Sequence, residues 1–208
     1  MSAAWRAGAV AAGTTSCVIS RPTGVVDGDV LLAFVASDVA VTAPAGWNTL
    51  VDVVSSARVF RRLVQNIASE PTSYTFTAAG GVIVEGIIDA FSGVDNSSPE
   101  DVAPTGSGGG SGDPVVWPDI TPVSDDTLHW VVSANSPSAV AVPTGYTGRS
   151  LTATLSRSST KAIATAGLIT GVSASTGGTW VSASVVLRSF VAGTDTRPLQ
   201  QNASGLRF

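Results

Sequence analysis

The feature that most constrains this fold is a pattern that recurs once, a little under one hundred residues later. The run DTLHWVVS at 126–133 parallels DVLLAFVA at 29–36, an offset of 97. Pro143-Thr144-Gly145-Tyr146 parallels Pro44-Ala45-Gly46-Trp47 at an offset of 99, and WVSASVVLRSF at 180–190 parallels GVIVEGIIDAF at 81–91 at the same offset. In each copy an acidic turn launches an apolar strand, a polar loop follows, and a Pro-x-Gly-aromatic turn enters the next strand. A sandwich of two similar halves, each of four strands, produces such a pattern, and so does chance in a chain this rich in Val, Ala and Ser.

Between these anchors, turn residues recur every eight to twelve positions and helical periodicity is nearly absent. That spacing belongs to an all-β chain, here an antiparallel, jelly-roll-like β-sandwich. Strands are expected near 17–20, 30–36, 48–54, 58–65 and 73–77. The apolar run 82–91 is long enough for three helical turns, but its β-branched residues and the preceding Gly80-Gly81 favour a strand. In 181–189, Val181, Ala183, Val185 and Leu187 are expected to face the core. Ser182, Ser184 and Arg188 are expected to face water, with Val186 as the exception.

The organisation read from this pattern is an extended N-terminal arm at 1–20, anchored by Trp5, then a sandwich domain at 21–190 and a C-terminal extension at 191–208. The Gly-rich stretch 105–113, within the irregular region 93–114, reads as a flexible loop inside one domain rather than a linker between two.

Charged residues make up only 12% of the chain, about half the usual share. A surface of Ser, Thr, Ala and Gly suits a protein that sits against partners, and equally a merely Ser/Thr-coated sandwich. A net charge of −4 with one lysine gives no footprint for nucleic acid or an anionic membrane. Cys17 is the sole cysteine, which excludes a disulfide within the chain and a Cys-based zinc site, and its neighbours Val18 and Ile19 favour a buried or strand thiol over a reactive one. No stretch approaches about 18 apolar residues, so no membrane insertion is expected. No secretory leader is evident either, so the chain is expected to stay where it is made or to leave without a cleaved signal.

The chemistry-bearing residues are few. His129, the one histidine, falls inside a strand and reads as a satisfied structural side chain rather than a base. Glu85 and Asp89 share one strand face with Cα atoms about 13 Å apart. That is long for a glycosidase pair, and a solvated outer face accounts for them better. The turn acids Asp27, Asp29, Asp125 and Asp126 read as strand-initiating residues rather than calcium ligands. Trp47 and Tyr146 read as core plugs beneath their turns, whereas Trp5 and Trp117 are the candidates for exposed ligand contacts. No catalytic residue, metal site or cofactor follows from the sequence, and the chain is expected not to be an enzyme.

The run P-x-G-V-x-D-G-D-V-L-L-A at 22–33, followed by P-A-G-W at 44–47, S-Y-T-F-T at 73–77 and A-F-S-G-V-D at 90–95, resembles a β-sandwich domain of actinobacteriophages. That domain occurs in virion proteins usually labelled minor tail proteins. The resemblance covers about residues 20–190, and ten arginines to one lysine suit a high-GC host. It implies a non-enzymatic virion component, assembled in the host cytoplasm among other tail or capsid proteins, as a homotrimer or docked on a symmetric particle. A minor tail protein with an assembly or host-adhesion role comes first, then a capsid decoration protein. A carbohydrate-binding module for host envelope glycans is the rival from another class. The termini lie outside the resemblance, and Arg197, Pro198, Leu199, Leu206 and Phe208 are the expected assembly contacts.

Overall fold

The computed structural model describes residues 1–53, 57–81, 83–110, 114–136, 140–152, 155–175 and 178–191. In chain order the strands are β1 (Ala4–Gly13), β2 (Ser16–Ser20), β3 (Val30–Ser37), β4 (Asn48–Val53), β5 (Ala57–Leu63), β6 (Ser73–Thr77) and β7 (Val84–Ser92). A second series follows: β8 (Thr105–Gly109), β9 (Val115–Val116), β10 (Thr127–Ser136), β11 (Thr147–Leu151), β12 (Ser156–Ile163), β13 (Ser173–Ala174) and β14 (Thr179–Leu187). A short 3-10 turn, Ile67–Ser69, precedes β6. All strand pairs within the sheets are antiparallel.

One five-stranded sheet has the order β1-β7-β3-β5-β4, and the other has β8-β14-β10-β12-β11. The two-stranded pairs β2-β6 and β9-β13 complete the set. Replacing every strand of the first series by the one seven places later reproduces the second order. A seven-strand unit therefore occurs twice, larger than the four-strand halves that the sequence anchors outline. The turns agree: Gly28 and Asp126 both have left-handed φ, at 85° and 54°. Asp126 is the one non-glycine among the described residues to do so, a conformation that aspartate tolerates better than most residues. Each turn is tied the same way, with Asp27 Oδ1 accepting from the Ile67 N–H at 2.5 Å and Asp125 Oδ1 accepting from the Ala166 N–H at 2.7 Å.

The large sheets pack face to face, with β1 against β11 and β4 against β8. Each half presents the same surface to the other, as two subunits do across a two-fold axis. Alternate residues of the central strands fill this seam: Val30, Leu32 and Phe34 of β3 meet Leu128, Trp130 and Val132 of β10. The opposite face of the first sheet is covered by Cys17, Ile19, Tyr74 and Phe76 from β2 and β6. The corresponding outer face of the second sheet holds a smaller cluster around Val115, Trp117, Val131 and Trp180. The central strands β3, β7 and β10 are thus buried on both faces, which explains their nearly continuous apolar runs.

Three expectations change. The N-terminal arm is the edge strand β1, hydrogen-bonded along β7, followed by β2. Ala3 N–H donates to Ser189 Oγ at 2.8 Å and the Met1 nitrogen to the Phe190 carbonyl at 2.7 Å, which fasten its start. Part of the Gly-rich loop is strand β8, paired with β14. Glycine is required there because a Cβ on Gly109 would stand 2.5 Å from the Trp180 ring. Val181, Ala183, Val185 and Leu187 do face the seam, but Ser182 and Ser184 do not face water. Their hydroxyls donate to the Val116 and Pro118 carbonyls at 2.7 and 3.1 Å, beneath the segment that carries β9. Ser55-Ser56, which would join the strands expected at 48–54 and 58–65, lie outside the described residues.

Gly109→Ala is expected to destabilise the chain by about 1–3 kcal/mol, because the indole must move or the edge strand must part from β14. Guanidinium denaturation midpoints compared with wild type would measure this.

Candidate functional site

The inward row of β7 runs Glu85, Ile87, Asp89, Phe91, and its two acids are buried, at 2% and 0% exposure. This corrects the solvated outer face expected for them: the two do share a face, but the second sheet covers it. Asp89 Oδ1 accepts from Trp5 Nε1 at 3.0 Å and from Ser150 Oγ at 2.6 Å, while Oδ2 accepts from Trp130 Nε1 at 2.8 Å. Glu85 Oε2 accepts from Thr152 Oγ1 at 2.8 Å. The carboxyls thus tie the first half to β10, β11 and the residue after it.

Trp5 is half-buried, and this bonding leads outward from Asp89 to the protein surface. The Arg149 guanidinium lies over its ring, 4.9 Å from the centroid, and Arg149 Nε donates to Thr160 Oγ1 at 2.7 Å. Together with Ala3, Thr147 and Lys161 these residues line a cleft of about 500 Å³ at the β1/β11 edge. Trp117 is not exposed as expected: it is 2% exposed and its Nε1 donates to the Val132 carbonyl at 2.9 Å. The short β9 segment folds it onto the outer face of β10, so it plugs a core and cannot stack on a ligand.

Lys161 also borders a second cleft of about 400 Å³, lined by Pro143, Thr144, Tyr146, Ile169, Thr170 and Ser173 among others. Its Nζ lies 5.7 Å from the Tyr146 ring centroid. Beneath, the Tyr146 hydroxyl is 2.7 Å from Nδ1 of the fully buried His129. Burial, with the positive charge of Lys161 beside it, lowers the His129 pKa to about 3, so the ring is neutral at physiological pH. Burial likewise raises the Tyr146 pKa. In the first half the matching aromatic, Trp47, packs edge-on against Tyr74 and Phe76.

A third cleft, about 340 Å³, opens at one end of the seam between Ala36, Ile83, Glu85, Ala134, Leu155 and Val181. Among the turn acids, Asp29 is buried and paired with Arg6 at 2.7 Å, and its Oδ2 accepts from Val26 N–H at 3.0 Å. Cys17 is buried, and burial pushes its thiol up to about 12. The expected assembly contacts Arg197, Pro198, Leu199, Leu206 and Phe208 lie outside the described residues. Arg149 and Lys161 were not singled out from sequence. The 99-residue offset carried the signal for Lys161, because it stands where Arg62 stands in the first half.

Comparison with family models, with curated proteins and with solved structures finds no match.

Two outcomes follow from this geometry. Asp89→Ala is expected to cost about 3–5 kcal/mol, since two indole N–H groups and a hydroxyl lose their buried acceptor. Denaturant unfolding reads the loss, and Trp130→Phe, which removes one donor, should cost less. For His129, the unfolded chain binds a proton below about pH 6.5 while the folded chain does not until about pH 3. Stability is therefore full above pH 6.5 and falls with acidification, by about 2 kcal/mol between pH 7 and 5. His129→Gln should flatten that interval, because no other side chain titrates within it at its ordinary pKa.

Proposed function

We propose that this chain is a non-enzymatic structural component of a phage virion, foremost a minor tail protein with an assembly or host-adhesion role. The observation that carries the reading is the ordered motif series at 22–33, 44–47, 73–77 and 90–95, which resembles the actinobacteriophage sandwich domain. The structure gives each motif a job in holding one seven-strand unit together. P-x-G-V-x-D-G-D-V-L-L-A forms the turn into β3, P-A-G-W seats Trp47 on β6, and A-F-S-G-V-D ends β7. Supporting it further, Glu85 and Asp89 are engaged in hydrogen bonds between the sheets, where a hydrolase would need carboxyls opposed across a cleft. Each half pairs a five-stranded antiparallel sheet with a two-stranded one, and the two sets pack as a sandwich.

In this reading the chain assembles with other virion proteins, as a homo-oligomer such as a trimer, and its location is the virion. A capsid decoration role is the alternative position on the same particle. A second reading, a module binding host-surface glycans, is favoured by one observation: half-buried Trp5 with Arg149 lines an open cleft.

Immunogold electron microscopy of intact particles tests the proposal. Gold at the tail is expected; gold over the head moves the chain to the capsid surface, and particles without gold overturn the virion assignment.

A further inference from the structure

The two halves treat equivalent cations differently. In the first half Arg58 pairs with Asp52 at 2.5 Å, across strands β4 and β5. Arg62 pairs with Glu70, whose Oε1 also accepts from the Tyr74 hydroxyl at 2.7 Å. The residues 99 positions later are Leu151 facing Arg157, and Ile169 and Ser173 beside Lys161. The second half keeps both cations and has lost both carboxylates. Among the described residues, Arg157 and Lys161 make no ion pair, and neither cleft that Lys161 borders has Asp or Glu in its lining.

Where Glu70 and Tyr74 fill the first half, the second has a cleft of about 400 Å³. That size falls within the range of small-ligand sites, roughly 300–1,000 Å³. Its cation is Lys161, its aromatic wall is Tyr146 in the place of Trp47, and Thr144, Thr170 and Ser173 supply hydroxyls. The first half shows what completes such a place: a carboxylate held between a cation and a hydroxyl.

We propose that this cleft binds a carboxylate-bearing saccharide, its carboxylate on Lys161 in the position that Glu70 holds beside Arg62. This rests on the glycan-binding reading and extends it from the Trp5–Arg149 cleft to the cleft on the Tyr146 side of Lys161. The aromatic wall and the hydroxyls suit a sugar ring, and the unpaired ammonium selects an acidic one.

Isothermal titration calorimetry of the full chain at low salt tests this with sodium glucuronate, glucose and a glutamate-rich hexapeptide as probes. Glucuronate is expected to bind at least about tenfold more tightly than glucose, and Lys161→Gln to weaken it by about ten- to a hundredfold. Ile169→Glu, which restores the internal carboxylate, is expected to abolish binding while the circular dichroism stays unchanged. Ser173→Glu, at an exposed residue that lines this cleft and not the Trp5–Arg149 one, takes the place of Ile169→Glu if that variant does not fold. Equal binding of glucose and glucuronate overturns the acidic selection but leaves the glycan-binding reading standing. No binding of either sugar overturns both. Glucuronate binding unaffected by Lys161→Gln overturns the assigned site, and preferential binding of the peptide overturns the saccharide.

Discussion

A carboxyl buried between two sheets is costly unless each oxygen finds a donor, and Asp89 finds three, on β1, β10 and β11. Two of those donors, Trp130 and Ser150, sit in the opposite sheet, so sliding one sheet over the other would carry them out of reach and strand the acid. The apolar contacts of Val30, Leu32 and Phe34 with Leu128, Trp130 and Val132 are less directional than these hydrogen bonds. Asp89 therefore fixes how the halves sit on one another, and the seam, the edge clefts and the path from Trp5 to Arg149 all depend on that placement.

The two units share strand order but spend their outer faces differently. Under β2 and β6 lie Phe60, Phe76, Tyr74 and Trp47, a dense aromatic core. Under β9 and β13 the second sheet buries His129, Ser182 and Ser184 beside Trp117 and Trp180. Hydroxyls that reach carbonyls of the covering segment hold it with fewer apolar atoms. That thinner cover leaves room for the cleft at Tyr146, whereas in the first half the long side chains of Glu70 and Tyr74 occupy the place.

Much of the fold was legible because the strongest signals are local. The apolar β3 and β7, the SYTFT strand β6 and the Pro-x-Gly-aromatic turns stand out in the sequence, and so does the repeat. What was missed has a common cause. The edge strands β1 and β8 are built from Ala, Gly and Ser, which carry little strand propensity, and they form because a neighbouring strand offers them a ladder. The burial of Trp117, Ser182 and Glu85 was equally hidden, because alternation says which residues share a face but not what covers it. The site was partly legible: Trp5 was named, while Arg149 and Lys161 looked like ordinary surface cations until the first half showed what their equivalents do.

The fastening of Ala3 to Ser189 and of Met1 to Phe190 puts residues 1 and 190 at one pole of the molecule. A pull through the segments at these two points would not shear the seam. It would first break those two bonds, then lift β1 from β7 one hydrogen bond at a time, starting at the Ala4–Ser92 end. Peeling in sequence needs far less force than shearing a whole ladder at once. Mechanically this pole is a fuse that would release β1 while the buried carboxyls still hold the two sheets together.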